Sequence, residues 1–156
     1  MLKDAASSST TTLEVADLPR RASVPSSQVP SVLACGSMIL ALKLALRIYG
    51  FRTVLGWIAR RVEVMPATTG LDVAPVRVVE RAVATAGALY PGRALCLEQS
   101  LVLYYVLRRQ GVRVIYCQGV RAQPFEAHAW IEYRGEVIND VPEHTRHFGR
   151  LPDLLP

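Results

Sequence analysis

A run of apolar residues in the second half of the chain most constrains its fold. Residues 94–109 (ALCLEQSLVLYYVLRR) have the length of a helix, and past Ser100 apolar side chains occupy every side of it. A helix that is apolar all round is surrounded by other elements. Gly111 is a suitable residue to end it. The run therefore predicts a central helix inside one domain, which 156 residues suffice to build.

After the central helix the spacing of the apolar residues changes to a period of two. Residues 112–120 predict one strand, residues 127–133 a second and residues 136–140 a third. The tail, residues 141–156, contains three prolines and is expected to be irregular with one short turn. A central helix packed on a small antiparallel sheet is an α+β fold.

Helices are also predicted before the central one. Residues 31–64 form a helical hairpin in which Ser31 caps the first helix and Gly50 ends it. The uncharged part, residues 31–42, is shorter than the roughly 20 residues that cross a bilayer, so a transmembrane helix is disfavoured and a position on a membrane surface stays open. Residues 65–74 resemble a linker, and Pro75 opens a further helix.

Composition sets the limits of the fold and of the function. Residues 1–30 are rich in Ser, Thr and Pro and predict a flexible N-terminal segment, whereas residues 65–156 are expected to form the core domain. The net charge is +5, but the arginines are scattered and predict no nucleic-acid surface. Three cysteines without dense spacing and the lack of a secretory signal predict a cytoplasmic protein without a disulfide framework.

Three residues suggest a thiol nucleophile with its helpers. Cys96 lies in the first turn of the central helix, where free N–H groups and the helix dipole favour a thiolate. His128, on the second strand, would accept the thiol proton, and Asp140, on the third, would orient the imidazole. We expect Trp130 to pack beside that imidazole. This chemistry requires no cofactor.

The hairpin between the second and third strands tests this arrangement. A three-residue loop at 133–135 places Gly135 at the position that requires a positive φ, and it pairs His128 with Asp140. A two-residue loop of Arg134 and Gly135 shifts the register by one and would place the two side chains on opposite faces of the sheet. The sequence therefore favours the three-residue loop.

Other residues offer alternative interpretations. Cys35 and Cys117 are expected to be buried packing residues, and a lone histidine or aspartate is often purely structural. His144 and His147 have a spacing that can suggest a metal, but no helix or thiolate pair supports them, so no metal site is predicted.

The same residues carry a family resemblance. Residues 96–112 (CLEQSLVLYYVLRRQGV), 119–121 (GVR), 125–132 (FEAHAWIE) and 135–140 (GEVIND) resemble the transglutaminase-like leader peptidases of lasso-peptide biosynthesis, the stand-alone B proteins. The resemblance covers about residues 75–141. It implies a papain/transglutaminase-like fold and a cysteine peptidase that removes the leader from a ribosomally made precursor. By matching position it makes Cys96 the nucleophile, His128 the general base and Asp140 the orienting residue.

The resemblance also implies partners. An ATP-dependent macrolactam cyclase would use the cleaved precursor, and because no leader-recognition domain precedes the hairpin, a separate leader-binding protein is expected. The hairpin would dock one of these proteins, with a membrane surface as the alternative. Two other functions stay open: acyl transfer to an amine, as in true transglutaminases, and a non-catalytic interaction module with a relict triad.

Overall fold

The computed structural model describes residues 29–63, 73–90 and 96–155. The predictions for residues 1–30 and 65–74 lie outside the described residues, except for the last two residues of each segment. The order of elements is mixed α+β, with the helices mainly before the strands, as the sequence predicts. The elements are α1 Val32–Tyr49, α2 Phe51–Glu63, α3 Val73–Leu89, α4 Cys96–Arg109, β1 Ile115–Arg121, β2 Glu126–Tyr133, β3 Glu136–Val137, α5 Pro142–Thr145 and β4 Gly149–Arg150.

The predicted hairpin helices are confirmed as α1 and α2. The Ser31 hydroxyl accepts the N–H of Ala34 at 3.2 Å and caps α1, while Gly50 ends it with a φ of 77°. On its inner side α1 buries Cys35 and Ile39 completely, against α3 and α4. The other side of α1 faces solvent.

The predicted central helix is confirmed as α4, which is buried along most of its length. Leu101, Leu103 and Leu107 are at most 1% exposed, and burial of each such side chain contributes about 1.5–3 kcal/mol. The helix ends where Gly111 takes a φ of 76° and the N–H of Val112 bonds Leu107 O at 2.9 Å. Helices α1, α2 and α3 and one face of the sheet surround α4.

The four strands form an antiparallel sheet in the order β3-β2-β1-β4. The tail is more ordered than the sequence predicts, because α5 returns the chain and β4 then pairs with β1, with Gly119 opposite Arg150. A Cβ at Gly119 would lie 2.7 Å from the Cβ of Phe148, so the glycine permits this close approach. Phe148 thereby covers Trp130 and Cys117 on the sheet face away from the main core.

The predicted register between β2 and β3 is wrong. Tyr133 pairs with Glu136, so the loop has two residues, Arg134 and Gly135, with φ values of 53° and 82°. Two positive φ values in succession are typical of a type I′ turn, whose twist suits a hairpin. Gly135 therefore does not distinguish the two loops, because Arg134 adopts a positive φ as well. The third strand is also shorter than predicted and ends at Val137.

Candidate active site

Asp140 reaches His128 because the chain bends after β3, not because of strand pairing. Ile138 still donates its N–H to Ile131 O at 3.0 Å, and the chain then bends away from the ladder through residues 139 and 140. The guanidinium of Arg77 on α3 donates to Ile138 O at 2.6 Å, and Asn139 Oδ1 accepts the N–H of Ile131 at 2.7 Å. The expectation that a one-residue slip separates the two side chains therefore fails: it assumed a straight strand as far as Asp140.

The bend presents the Asp140 carboxylate to the imidazole of His128. The distance from His128 Nε2 to Asp140 Oδ2 is 2.5 Å, and Asp140 Oδ1 accepts the N–H of Val141 at 2.7 Å. The His128 ring stacks on Trp130 with centroids 6.0 Å apart, as expected, and lies 5.1 Å from the ring of Phe148. Because Nε2 is engaged, Nδ1 is the nitrogen left to exchange a proton with a thiol.

Cys96 is the first residue of α4 and is partly exposed. His128 and the backbone N–H groups of Ala129 and Leu97 lie close enough to its thiol to stabilise the thiolate form. It borders a cleft of about 180 Å³, which includes Leu97, Gly119 and Ala129 in its wall. A peptide bond placed in this cleft can approach the sulfur.

The electrostatics of the three residues favour a thiolate–imidazolium pair. Burial opposes ionisation of Cys96, but the hydrogen bonds from His128, Ala129 and Leu97 outweigh it and lower the pKa of the thiol. The hydrogen bond with Cys96 and the Asp140 carboxylate raise the pKa of His128, against the effect of burial. Burial alone would raise the pKa of the Asp140 carboxyl, yet the hydrogen bonds from His144, Val141 and His128 lower it.

His144 is a contact of the site that the sequence did not predict in this role. Its Nδ1 lies 2.7 Å from Asp140 Oδ2, the oxygen that also bonds His128. Ligand atoms of His128, Asp140 and His144 all lie within 4.8 Å of one another. Donors on a tetrahedral zinc would stand roughly 3.3 Å apart, so separations of 2.5 and 2.7 Å describe hydrogen bonds to one carboxylate oxygen. His147 is not part of this cluster in the described chain.

Ser100 ties the central helix to the rest of the site, one turn beyond Cys96. Its fully buried hydroxyl donates to Ala129 O at 2.9 Å and accepts the Asn139 side-chain N–H at 2.8 Å. Ala129 follows His128, and Asn139 precedes Asp140, so one hydroxyl fixes all three elements of the site. Two features of the sequence could have indicated this role: Ser100 is a polar residue where an apolar run begins, and Asn139 is an amide next to the carboxylate.

Comparison with known proteins identifies the family of the chain. The family model for the transglutaminase-like superfamily matches residues 38–153, most of the chain. The chain belongs to the transglutaminase-like superfamily. It is also 43% identical over 47 residues to the microcin J25-processing protein McjB of Escherichia coli, which is 30% of this chain and 23% of that relative. No solved structure matches significantly.

The first prediction concerns the reactivity of the three cysteine thiols. We expect iodoacetamide at neutral pH to alkylate Cys96 at least about tenfold faster than Cys35 or Cys117. Burial raises the pKa of Cys35, and burial together with Glu132 raises the pKa of Cys117 to about 12. Peptide mapping by mass spectrometry measures the three rates. The three rates should be similar only when the protein is unfolded in urea. Similar rates in the native protein would contradict an activated Cys96.

A second prediction concerns Ser100. Ser100→Ala should lower the free energy of unfolding by about 1–3 kcal/mol, because two buried partners lose their hydrogen bond. It should also slow alkylation of Cys96 and move its pH dependence to higher pH. Ser37→Ala is the matched control: that hydroxyl bonds only Leu33 O on an exposed face, so its effect should be within about 0.5 kcal/mol. Equal effects of the two variants would show that Ser100 has no positioning role.

Proposed function

We propose that this protein is a cysteine peptidase that removes the leader from a lasso-peptide precursor. The proposal rests on the hydrogen bond between Asp140 and His128 and on the position of His128 beside the Cys96 thiol in one cleft. Its peptide substrate is supported by the similarity to a microcin J25-processing protein. Thiol, imidazole and carboxylate together supply the nucleophile, the proton carrier and its orienting group.

The first half of the reaction forms an acyl-enzyme. Cys96 transfers its proton to Nδ1 of His128, and Asp140 holds the imidazolium at Nε2. The thiolate attacks the carbonyl carbon between leader and core, and the negative charge on the carbonyl oxygen is stabilised by N–H groups that include the backbone N–H of Cys96. The C–N bond breaks as His128 protonates the leaving amine. The core peptide departs, and the leader stays bound to Cys96 as a thioester.

The second half of the reaction is hydrolysis. A water molecule gives a proton to Nδ1 of His128 and attacks the thioester carbonyl. The C–S bond breaks, the leader leaves as a carboxylic acid, and the thiolate–imidazolium pair is restored. Following the family resemblance, we assign leader recognition to a separate leader-binding protein and use of the core to an ATP-dependent macrolactam cyclase.

Mass spectrometry of the reaction products tests the proposal. The substrate is a lasso-peptide precursor from the source genome, incubated with this protein and a leader-binding protein in the presence of a primary amine. Hydrolysis gives a leader with a free carboxylate. In ¹⁸O-labelled water that carboxylate carries the label. An intact precursor under all these conditions would contradict the proposal.

The same experiment separates the second candidate function, acyl transfer to an amine. Membership of the transglutaminase-like superfamily makes acyl transfer the second candidate, because transfer and hydrolysis share the thioester intermediate. Transfer would give a product that carries the added amine and no ¹⁸O. A protein with a relict triad would give neither product, and its Cys96 would be no more reactive than Cys35 or Cys117.

A further inference from the structure

The outer face of α1 is a strip of aliphatic side chains that no other described part of the chain covers. Leu33 is 84% exposed and Ile48 60%, and Leu40 and Leu44 between them are each 55% exposed. The hydroxyl of Ser37 on the same face is satisfied by Leu33 O at 3.0 Å. From Leu33 to Ile48 the strip runs about 22 Å along the helix. Exposed apolar surfaces of this kind mark sites of interaction with a protein or a membrane.

Charges around the strip have one sign. Residues 29–62 contain five Lys or Arg residues and no Asp or Glu. Four of these cations, Arg47, Arg52, Arg60 and Arg61, are exposed. The α1–α2 hairpin therefore combines aliphatic side chains with basic groups, and its one carboxylate, Glu63, is the last residue of α2. This combination is complementary to a surface of apolar chains and negatively charged head groups.

Two aromatic residues mark one end of the strip. Tyr49 ends α1 and Trp57 lies on α2, and their rings meet edge to face at 4.8 Å. Both are partly exposed, at 55% and 39%. Next to them a groove of about 270 Å³ opens between α1 and α2, lined by apolar side chains and by Arg61. Tyr and Trp prefer the boundary between lipid head groups and acyl chains.

We propose that the α1–α2 hairpin binds the surface of an anionic bilayer, with α1 lying in the plane of the interface. Among the described residues, α1 is long and apolar enough to cross a membrane, with a mean hydropathy of 1.7. However, its inner side holds Cys35 and Ile39 in the protein core, so lipid cannot surround it while the fold is intact. Acyl chains accept the outer Leu and Ile side chains without shape complementarity, and lipid phosphates pair with the arginines.

Membrane binding would also place the cleft near the lipid surface. Phe51, the first residue of α2, lies in the wall of the cleft that Cys96 borders, and only Gly50 separates it from α1. A hairpin held on a bilayer therefore keeps the cleft within reach of a peptide at the same surface. The membrane proposal does not depend on the reaction at Cys96, because lipid binding is measured without a peptide.

Vesicle binding by the full chain tests the proposal. The protein should sediment with vesicles of phosphatidylglycerol and phosphatidylcholine, and about tenfold less with phosphatidylcholine alone. The double variant Leu40→Gln/Leu44→Gln should bind anionic vesicles at least about tenfold more weakly. Arg60→Gln/Arg61→Gln should weaken binding and reduce its dependence on salt. Val78→Gln, an exposed apolar position on α3, is the matched control and should bind like the wild type.

Tryptophan fluorescence gives an independent measurement. Of the two tryptophans, Trp130 is buried and Trp57 is exposed, so a blue shift on addition of anionic vesicles reports Trp57. The shift should disappear in Trp57→Phe. Three results would overturn the proposal: no binding of the wild type to anionic vesicles, equal binding by the Leu40/Leu44 variant, or a lipid-free complex with a second copy or a partner protein that depends on Leu40 and Leu44.

Discussion

Replacing Cys96 with alanine is expected to abolish cleavage of the precursor peptide and to leave the fold intact. The variant loses the sulfur that forms the thioester, so the rate should fall by about 10⁴-fold or more. Cys96 is partly exposed at the start of α4 and contributes little to the core, so thermal unfolding should change only slightly. Mass spectrometry of the peptide and circular dichroism of the protein measure the two effects.

Cys35→Ala and Cys117→Ala provide the controls for this variant. Both thiols are at most 1% exposed, so these substitutions should reduce stability more than Cys96→Ala does while cleavage continues. Cys96→Ser tests the sulfur itself, because it places a hydroxyl, a far weaker nucleophile, at the same position. Undiminished cleavage by a folded Cys96→Ala protein would reject the proposed mechanism.

Asp140→Asn is expected to lower kcat/KM by about 10³-fold and to change its pH dependence. The carboxylate stabilises the imidazolium, so its removal should lower the pKa of His128. Without that cation the pKa of the Cys96 thiol should rise. The ion pair exists between these two pKa values, so activity on the alkaline side should be lost at a lower pH than in the wild type. The profiles of kcat/KM and of Cys96 alkylation against pH measure the change.

Asp153→Asn is the matched control for Asp140→Asn. It also removes a carboxylate near the end of the chain, but Asp153 is exposed and bonds Arg150 at 3.1 Å. Its pH profile should coincide with that of the wild type. If Asp140→Asn left the profile unchanged, Asp140 would have no part in tuning His128, and its bonds to Val141 and His144 would be structural only.

Much of the architecture follows from the residues themselves. The apolar run past Ser100 requires a surrounded helix, and the change to a period of two after Gly111 requires strands. Ser31 and Gly50 set the limits of α1. The pairing of β4 with β1 was not predicted, because Gly149 and Arg150 have no apolar alternation and are ordered by the sheet beside them.

The sequence predicted Cys96, His128 and Asp140 as the site, but it did not predict the contacts that hold His128 and Asp140 together. The predicted register was wrong, and His128 still meets Asp140, because Arg77 and Asn139 hold a bend that no periodicity encodes. His144 was considered as a metal ligand, whereas it bonds the same carboxylate oxygen as His128. These contacts join α3, β2 and the segment after β3, which are far apart in sequence.

The sequence by itself determined which chemical groups are available: a thiol at a helix start, an imidazole on one strand and a carboxylate predicted at the end of the next. It did so because helix ends, apolar periods and turn residues act over a few neighbouring positions. Only the tertiary structure decided how the groups meet, since the buried Ser100 hydroxyl and the bend at residues 139–140 depend on packing between distant segments. Packing likewise decided which face of α1 stays uncovered, because α3 and α4 cover only the inner one.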